Sequence, residues 1–259
     1  MLTSARCSLE VQERSEVVPS LQERLKARQR HFLGMLKPSA YKDAEWWTAS
    51  DPALEALKGP LPFEILFADA MQKCGSDKAT GHDYQRPYGL VLSQLPPGPV
   101  LEVGIGSIDP AVPRNMGSRG VPGASLRAWR SIGIFSHVYG ADVDEGALFS
   151  EPGIDTFWVN QLDRDSLILL RERLVTRHPM GFSLVVDDGL HEMAAIEGTL
   201  DACFPLVRDG GFYVVEDLAP QFLAPILQRV SKLPCDAWAL WSNLGRSNFN
   251  QALFLRAAK

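Results

Sequence analysis

From Pro99 onward, short apolar runs alternate with helix-like segments, and that rhythm fixes the class of fold. Strands are predicted at residues 100–103, 138–141, 156–159, 183–186, 211–215, 237–241 and 252–255. Helices are predicted at 124–131, 166–176, 193–207 and 221–231. The strand runs are largely apolar instead of alternating, as expected for strands covered on both faces. Strand–helix alternation of this kind builds a mainly parallel sheet between two layers of helices. Only the turn around Asn243-Leu244-Gly245-Arg246 separates the last two runs. That is too short for a crossover helix, so those two strands should pair antiparallel.

Upstream, helices are expected at 63–73 and from about 84 to 95, with Pro96-Pro97-Gly98 breaking the chain after them. Residues 1–60 are different. They are rich in charge, with Leu21, Leu25, Phe32 and Leu33 at roughly helical spacing and a Trp46-Trp47 pair. The expectation is a helical N-terminal extension over 1–60, packed on a core or a partner subunit or serving as a substrate lid, followed by one domain over 61–259. With 259 residues, 46% of them apolar, the chain can bury a core of that size.

Charge and cysteine usage narrow the function. A net charge of −5 with no basic tract argues against a nucleic-acid partner. Cys7, Cys74, Cys203 and Cys235 are scattered, with no Cys-x-x-Cys pair, so reduced thiols are expected instead of a zinc site or a disulfide framework. No uncharged apolar run is long enough to span a bilayer, and residues 1–6 lack the apolar core of a secretory signal. A cytoplasmic enzyme without membrane contact is the expectation.

Acids gather where the strands end. Residues 182–186 run into Asp187-Asp188-Gly189-Leu190-His191, and residues 212–215 run into Glu216-Asp217. Ligands of open α/β sheets bind at the carboxyl ends of strands. Carboxylates on two strands there, with a histidine three residues past one of them, suggest a hard divalent cation beside a general base. The competing reading has Asp188 and Asp217 capping the segments that follow and Glu216 in a local salt bridge, with His191 bonded to Asp188.

The first strand ends in Glu102-Val103-Gly104-Ile105-Gly106-Ser107. Its glycines permit a tight turn and a close backbone approach to a ligand. Asp109 replaces the third glycine of a dinucleotide fingerprint and would repel a pyrophosphate. Glu102 suits a nucleoside with a cationic amino-acid tail. Asp142, ending the second strand in Gly140-Ala141-Asp142-Val143-Asp144, is placed to accept from both ribose hydroxyls. Gln161 and Asp163 follow the third strand near an adenine position, although Asp163 could equally cap a helix.

These segments together resemble the class I S-adenosylmethionine-dependent methyltransferases. More narrowly, they resemble the metal-dependent sugar O-methyltransferases of macrolide biosynthesis, the mycinamicin and macrocin type. Gly75-Ser76-Asp77-Lys78 and Gly123-Ala124-Ser125-Leu126-Arg127-Ala128-Trp129 share in the resemblance, which spans residues 62–219. It implies a seven-stranded Rossmann-like α/β methyltransferase sheet, mainly parallel with an antiparallel last strand. It implies Mg²⁺ on Asp188, Glu216 and Asp217, with His191 as general base. Lys78, Glu102, Gly104, Gly106, Ser125, Asp142, Gln161, Asp163 and Asp187 would surround S-adenosylmethionine. A small-molecule acceptor and a homo-oligomer are implied as well. Leu190 stands where relatives often carry serine, the loop 107–122 is long and rich in proline and glycine, and residues 1–60 carry no resemblance.

The chemistry fits that reading. Methyl transfer from a sulfonium is an in-line displacement that needs alignment and removal of a hydroxyl proton. An O-methyltransferase acting on a sugar or vicinal diol of a natural product is expected, and a catechol-type acceptor would use the same chelation. A nucleotide-dependent oxidoreductase is the competing class. The missing third glycine and the absence of a Tyr-x-x-x-Lys pair count against it.

Overall fold

A computed structural model of the chain describes residues 44–45, 62–82, 84–241 and 251–258. The extension predicted over 1–60 lies outside the described residues, apart from a two-residue strand, β1 (Ala44–Glu45). Next come helices α1 (Pro62–Cys74) and α2 (Gln85–Gln94). The alternating part follows as β2 (Gly98–Val103), α3 (Ala124–Ile132), β3 (Phe135–Asp142), β4 (Ser150–Glu151), β5 (Ile154–Trp158), α4 (Arg164–Arg177), β6 (Phe182–Asp187), α5 (Met193–Cys203), β7 (Val207–Val215), α6 (Pro220–Val230), β8 (Cys235–Trp241) and β9 (Gln251–Ala257).

Among the described residues the sheet has nine strands, in the order β1-β8-β9-β7-β6-β2-β3-β5-β4. All seven predicted strands are present. The other two, β1 and β4, are two residues long, too short for any hydrophobic pattern to announce. Strand β9 runs antiparallel to β8, as the short connection requires, and antiparallel to β7 on its other side. From β2 the chain winds one way through β3 to β5, then returns to lay β6 on the other side of β2. That reversal opens a crevice at the carboxyl ends of β2 and β6.

Alternation within strands divides the core in two. Val100, Leu184, Val186, Phe212, Val214 and Phe254 pack against α1, α2 and α3. Their neighbours Leu101, Val103, Val185, Tyr213, Val215 and Leu255 pack against α4, α5 and α6. Helix α5 is shorter than the periodicity predicts. It stops at Cys203 and passes into a 3-10 turn over Phe204–Leu206, because Pro205 cannot supply the next helical N–H. No helix among the described residues is long and apolar enough to cross a membrane.

Candidate active site

The sheet ladder continues one residue beyond its last paired strands. Gly104 N–H donates to Ala141 O at 2.8 Å, Asp188 N–H to Val103 O at 2.8 Å, and Glu216 N–H to Asp187 O at 2.9 Å. These bonds fix Gly104, Asp188 and Glu216 side by side at the ends of β2, β6 and β7. Gly104 has φ +88°, and a Cβ there would stand 2.2 Å from Asp188 O. Only glycine lets the two strand ends approach this closely.

Three carboxylates converge on Lys78, which enters from the loop between α1 and α2. Its Nζ lies 2.6 Å from Asp188 Oδ2 and 3.4 Å from Glu102 Oε1, and it donates to Glu216 Oε2. Glu216 also accepts from the Tyr88 hydroxyl. Glu102 accepts from Ser125 Oγ–H at 2.7 Å and from the Trp129 indole N–H. Lys78 is 3% exposed, and Glu102 and Glu216 are each 1% exposed. Charges at that depth persist only when paired and hydrogen-bonded. Burial alone would pull the Lys78 pKa down, but Asp188, Glu102 and Glu216 outweigh it and hold the ammonium well above its ordinary value. For Glu102 and Glu216, burial raises the pKa, neighbouring carboxylates add to the rise, and Lys78 opposes it. One ammonium among three carboxylates leaves the cluster short of positive charge.

Beside this cluster, Asp217 Oδ1 accepts from the Tyr84 hydroxyl at 2.8 Å and lies 3.0 Å from His82 Nδ1. Asp77 Oδ2 is 3.5 Å from His82 Nε2. Hydrogen bonding to Asp217 and Asp77 raises the His82 pKa to about 10 against the opposing effect of burial. Burial pushes the Asp217 pKa up, but His82 and Tyr84 outweigh it and hold the carboxyl below its ordinary value.

Ligand atoms of Asp188, His191 and Asp217 lie within 4.8 Å of one another. His191 Nε2 is 3.9 Å from Asp188 Oδ1. Both His191 (φ +55°) and Asp217 (φ +48°) occupy the left-handed region. Strain of this kind costs on the order of 1–3 kcal/mol per residue and survives where surrounding contacts impose it. The Tyr84 hydroxyl, accepting the Asp217 N–H at 3.3 Å, is one such contact.

A cavity of about 180 Å³ opens at the crevice. Gly104, Gly106, Asp142, Gln161 and Asp188 line it, together with the 112–115 segment of the long loop. Asp142 accepts from Ile105 N–H at 2.9 Å and Asp144 N–H at 3.0 Å, which ties the glycine turn to the end of β3. Gln161 braces the loop after β6. Its Nε2 donates to Asp187 Oδ1 at 2.8 Å and Thr199 Oγ1 at 2.7 Å, while its Oε1 accepts from Leu190 N–H at 2.8 Å.

The remaining residues expected around a cofactor lie elsewhere. Lys78, Glu102 and Ser125 belong to the acid–lysine cluster and are not among the cavity's lining residues. Asp163 caps α4, accepting from Asp165 N–H at 3.0 Å. Asp187 faces Gln161 and Tyr213 at 2% exposure, where burial pushes its pKa up to about 7. Strand alternation puts Asp187 and the Lys78 cluster on opposite faces of the sheet. Of the residues expected to hold a metal, Asp188 and Asp217 meet with His191. Glu216 turns to Lys78 and Tyr88.

Three contributors were not predicted. His82 is half-buried, with its Nδ1 3.0 Å from Asp217 Oδ1. Tyr84 and Tyr88 each bond one rim acid, and their spacing of four residues was the available signal, since it sets two hydroxyls on one side of a helix start. The cluster's structural role is testable. Trp129→Phe removes the indole donor from the buried Glu102 and is expected to destabilise the fold by about 2 kcal/mol. A urea midpoint unchanged from the parent chain would contradict this.

No family model matches the chain. Over 151 residues it is 31% identical to the 8-demethyl-8-alpha-L-rhamnosyl tetracenomycin-C 2'-O-methyltransferase of Streptomyces olivaceus, covering 57% of this chain and 36% of that protein. Over 96 residues it is 36% identical to the mycinamicin VI 2''-O-methyltransferase of Micromonospora griseorubida, covering 37% and 23%. The similarity thus spans about a third or less of these curated relatives' length. Among solved structures, the MycE methyltransferase from the mycinamycin biosynthetic pathway in complex with Mg and SAH superposes with a TM-score of 0.54 at 21% identity, over 74% of this chain and 55% of that one. The chain therefore has the class I S-adenosylmethionine-dependent methyltransferase fold, and its curated homologues are O-methyltransferases of the mycinamicin and tetracenomycin sugar type.

Proposed function

We propose that the chain is an S-adenosylmethionine-dependent, Mg²⁺-dependent O-methyltransferase acting on a hydroxyl of a glycosylated natural product. The observation that carries this reading is the double duty of Asp188, which lines the glycine-turn cavity and also belongs to the group with His191 and Asp217. A donor in the cavity and an acceptor at the acids would meet across one residue. The composition of the cluster supports an ion, since three acidic side chains gather around a single ammonium. Carboxylate oxygens are the donors a hard divalent cation prefers.

In this reading Asp188, Glu216 and Asp217 hold the ion and His191 takes the hydroxyl proton. Gly104 and Gly106 bring backbone close to the sulfonium donor, and Asp142 receives its ribose hydroxyls. Gln161, Asp163, Asp187, Glu102, Ser125 and Lys78 shape the surroundings from outside or at the edge. Bound Mg²⁺ supplies acidification of a coordinated hydroxyl and chelation of a vicinal diol. The His191 imidazole offers a ring nitrogen that can accept that proton. General base catalysis of this kind contributes on the order of 10²–10⁴-fold. In this reading the enzyme works as a homo-oligomer. The free thiols of Cys74, Cys203 and Cys235 suit a reducing cytoplasm.

Calorimetric titration tests the cofactor. S-adenosylhomocysteine is expected to bind and NAD(P)H to give no heat; the opposite pattern would return the oxidoreductase reading. EDTA is expected to abolish methylation of glycosylated acceptors and Mg²⁺ to restore it. Full turnover in chelator would remove the ion from the mechanism.

A further inference from the structure

Lys78 occupies the oxygens that an ion would need. Its ammonium sits on Asp188 Oδ2 and Glu216 Oε2, and Tyr88 takes the other Glu216 oxygen. In this arrangement Glu216 cannot present a free carboxylate to the group formed by Asp188, His191 and Asp217. The same ammonium lies 3.4 Å from Glu102 Oε1, and Glu102 is not part of the group formed by Asp188, His191 and Asp217. Ser125 and Trp129 hold that third carboxylate in place, so it can receive a cation without moving.

We propose that Lys78 is a tethered counter-cation that competes with the divalent ion for Asp188 and Glu216 and is handed over to Glu102 when the ion binds. The inference rests on the ion reading above and adds an exchange step to it. Without an ion, Lys78 keeps the buried acids compensated and the rim folded. With one, Asp188 and Glu216 turn to the ion, and Lys78 keeps a single partner. The loop carrying it keeps backbone ties to both neighbouring helices, Ser76 N–H to Met71 O at 2.9 Å and Tyr84 N–H to Lys78 O at 2.9 Å, and turns on itself through Asp77 O, so only its side-chain anchors reach the rim. Lys78 N–H donates to Ser76 Oγ at 3.4 Å, Gly81 N–H bonds Asp77 O at 2.6 Å, and His82 meets Asp217, itself an expected ligand. Ion binding therefore draws two anchors of the 76–82 loop, Lys78 and His82, away from the rim.

The test compares Mg²⁺ binding by calorimetry, without cofactor or acceptor, in the parent chain and in Lys78→Met and Lys78→Arg. Lys78→Met removes the competitor while keeping the length of the stem, and Mg²⁺ should bind roughly 10-fold tighter or more, the scale expected for losing a close like charge in a partly buried site. Lys78→Arg keeps the charge and should stay near the parent affinity. A side chain with only a structural role would give the opposite sign, with weaker ion binding in Lys78→Met. Hydrogen exchange on the parent chain serves as a second readout that needs no variant to fold. Amides of residues 76–82 should exchange faster with Mg²⁺ than without. Equal or weaker affinity in Lys78→Met, or slower or unchanged exchange of that loop, overturns the exchange step while leaving the ion reading intact. No Mg²⁺ binding by any of the three proteins removes the ion reading, and the exchange step with it.

Discussion

Asp188→Ala is expected to lower methyl-transfer turnover by on the order of 10³-fold, the effect of deleting a group that stabilises developing charge in a water-poor site. The fold should survive the change. Lys78 would keep Glu216 and Glu102 as partners, and the backbone bond from Asp188 N–H to Val103 O does not involve the side chain. Affinity for S-adenosylhomocysteine should fall far less than turnover, because the rest of the glycine-turn cavity is untouched. The check is a steady-state assay with a glycosylated acceptor beside a calorimetric titration of the product. Parallel losses in both would make Asp188 a binding residue only, and unchanged turnover would dismantle the ion site.

Gly104→Val should be as damaging by a different route. At φ +88° any L side chain is strained, and the new Cβ would meet Asp188 O at 2.2 Å, Asp188 C at 2.5 Å and Gly189 Cα at 2.6 Å. All three are backbone atoms, so no rotamer change relieves the clash. The ends of β2 and β6 must separate, which breaks the bond that positions Asp188 and opens the crevice. A loss of roughly 3 kcal/mol of stability is expected, within the range for forcing a side chain where backbone geometry forbids it. Product binding should disappear with it. Denaturant midpoints and calorimetry on the same preparation measure both. A variant that melts like the parent and still binds S-adenosylhomocysteine would show that the close approach is dispensable.

The layered sheet was legible because buried parallel strands leave continuous apolar runs and helices leave periodic ones. All seven predicted strands formed, and α5 departed only where Pro205 interrupts it. The strands β1 and β4 were invisible because pairing two residues needs no side-chain pattern. The glycine turn and Asp142 were legible as a cavity wall because residues at consecutive strand ends must meet. Asp163 took the local role that its place before a helix also allowed. An acid beside a helix start satisfies a local N–H first, and it caps α4. The partners of His82, Tyr84 and Tyr88 were not legible because they lie more than 120 residues away in sequence. Local spacing holds no record of such distant pairs.

The sequence by itself determined the class of sheet, the acids at its carboxyl rim and the glycines beside them. Those follow from periodicity, from chain connectivity and from the conformational freedom of glycine, all of which act over short stretches. Only the tertiary structure decided which acid faces which cation. Lys78 belongs to Glu102, Asp188 and Glu216, His82 belongs to Asp217, and Asp187 sits on the far face with Gln161. Buried charges must find compensation wherever the packed layers put it, and that choice is made by the folded core and not by neighbours along the chain.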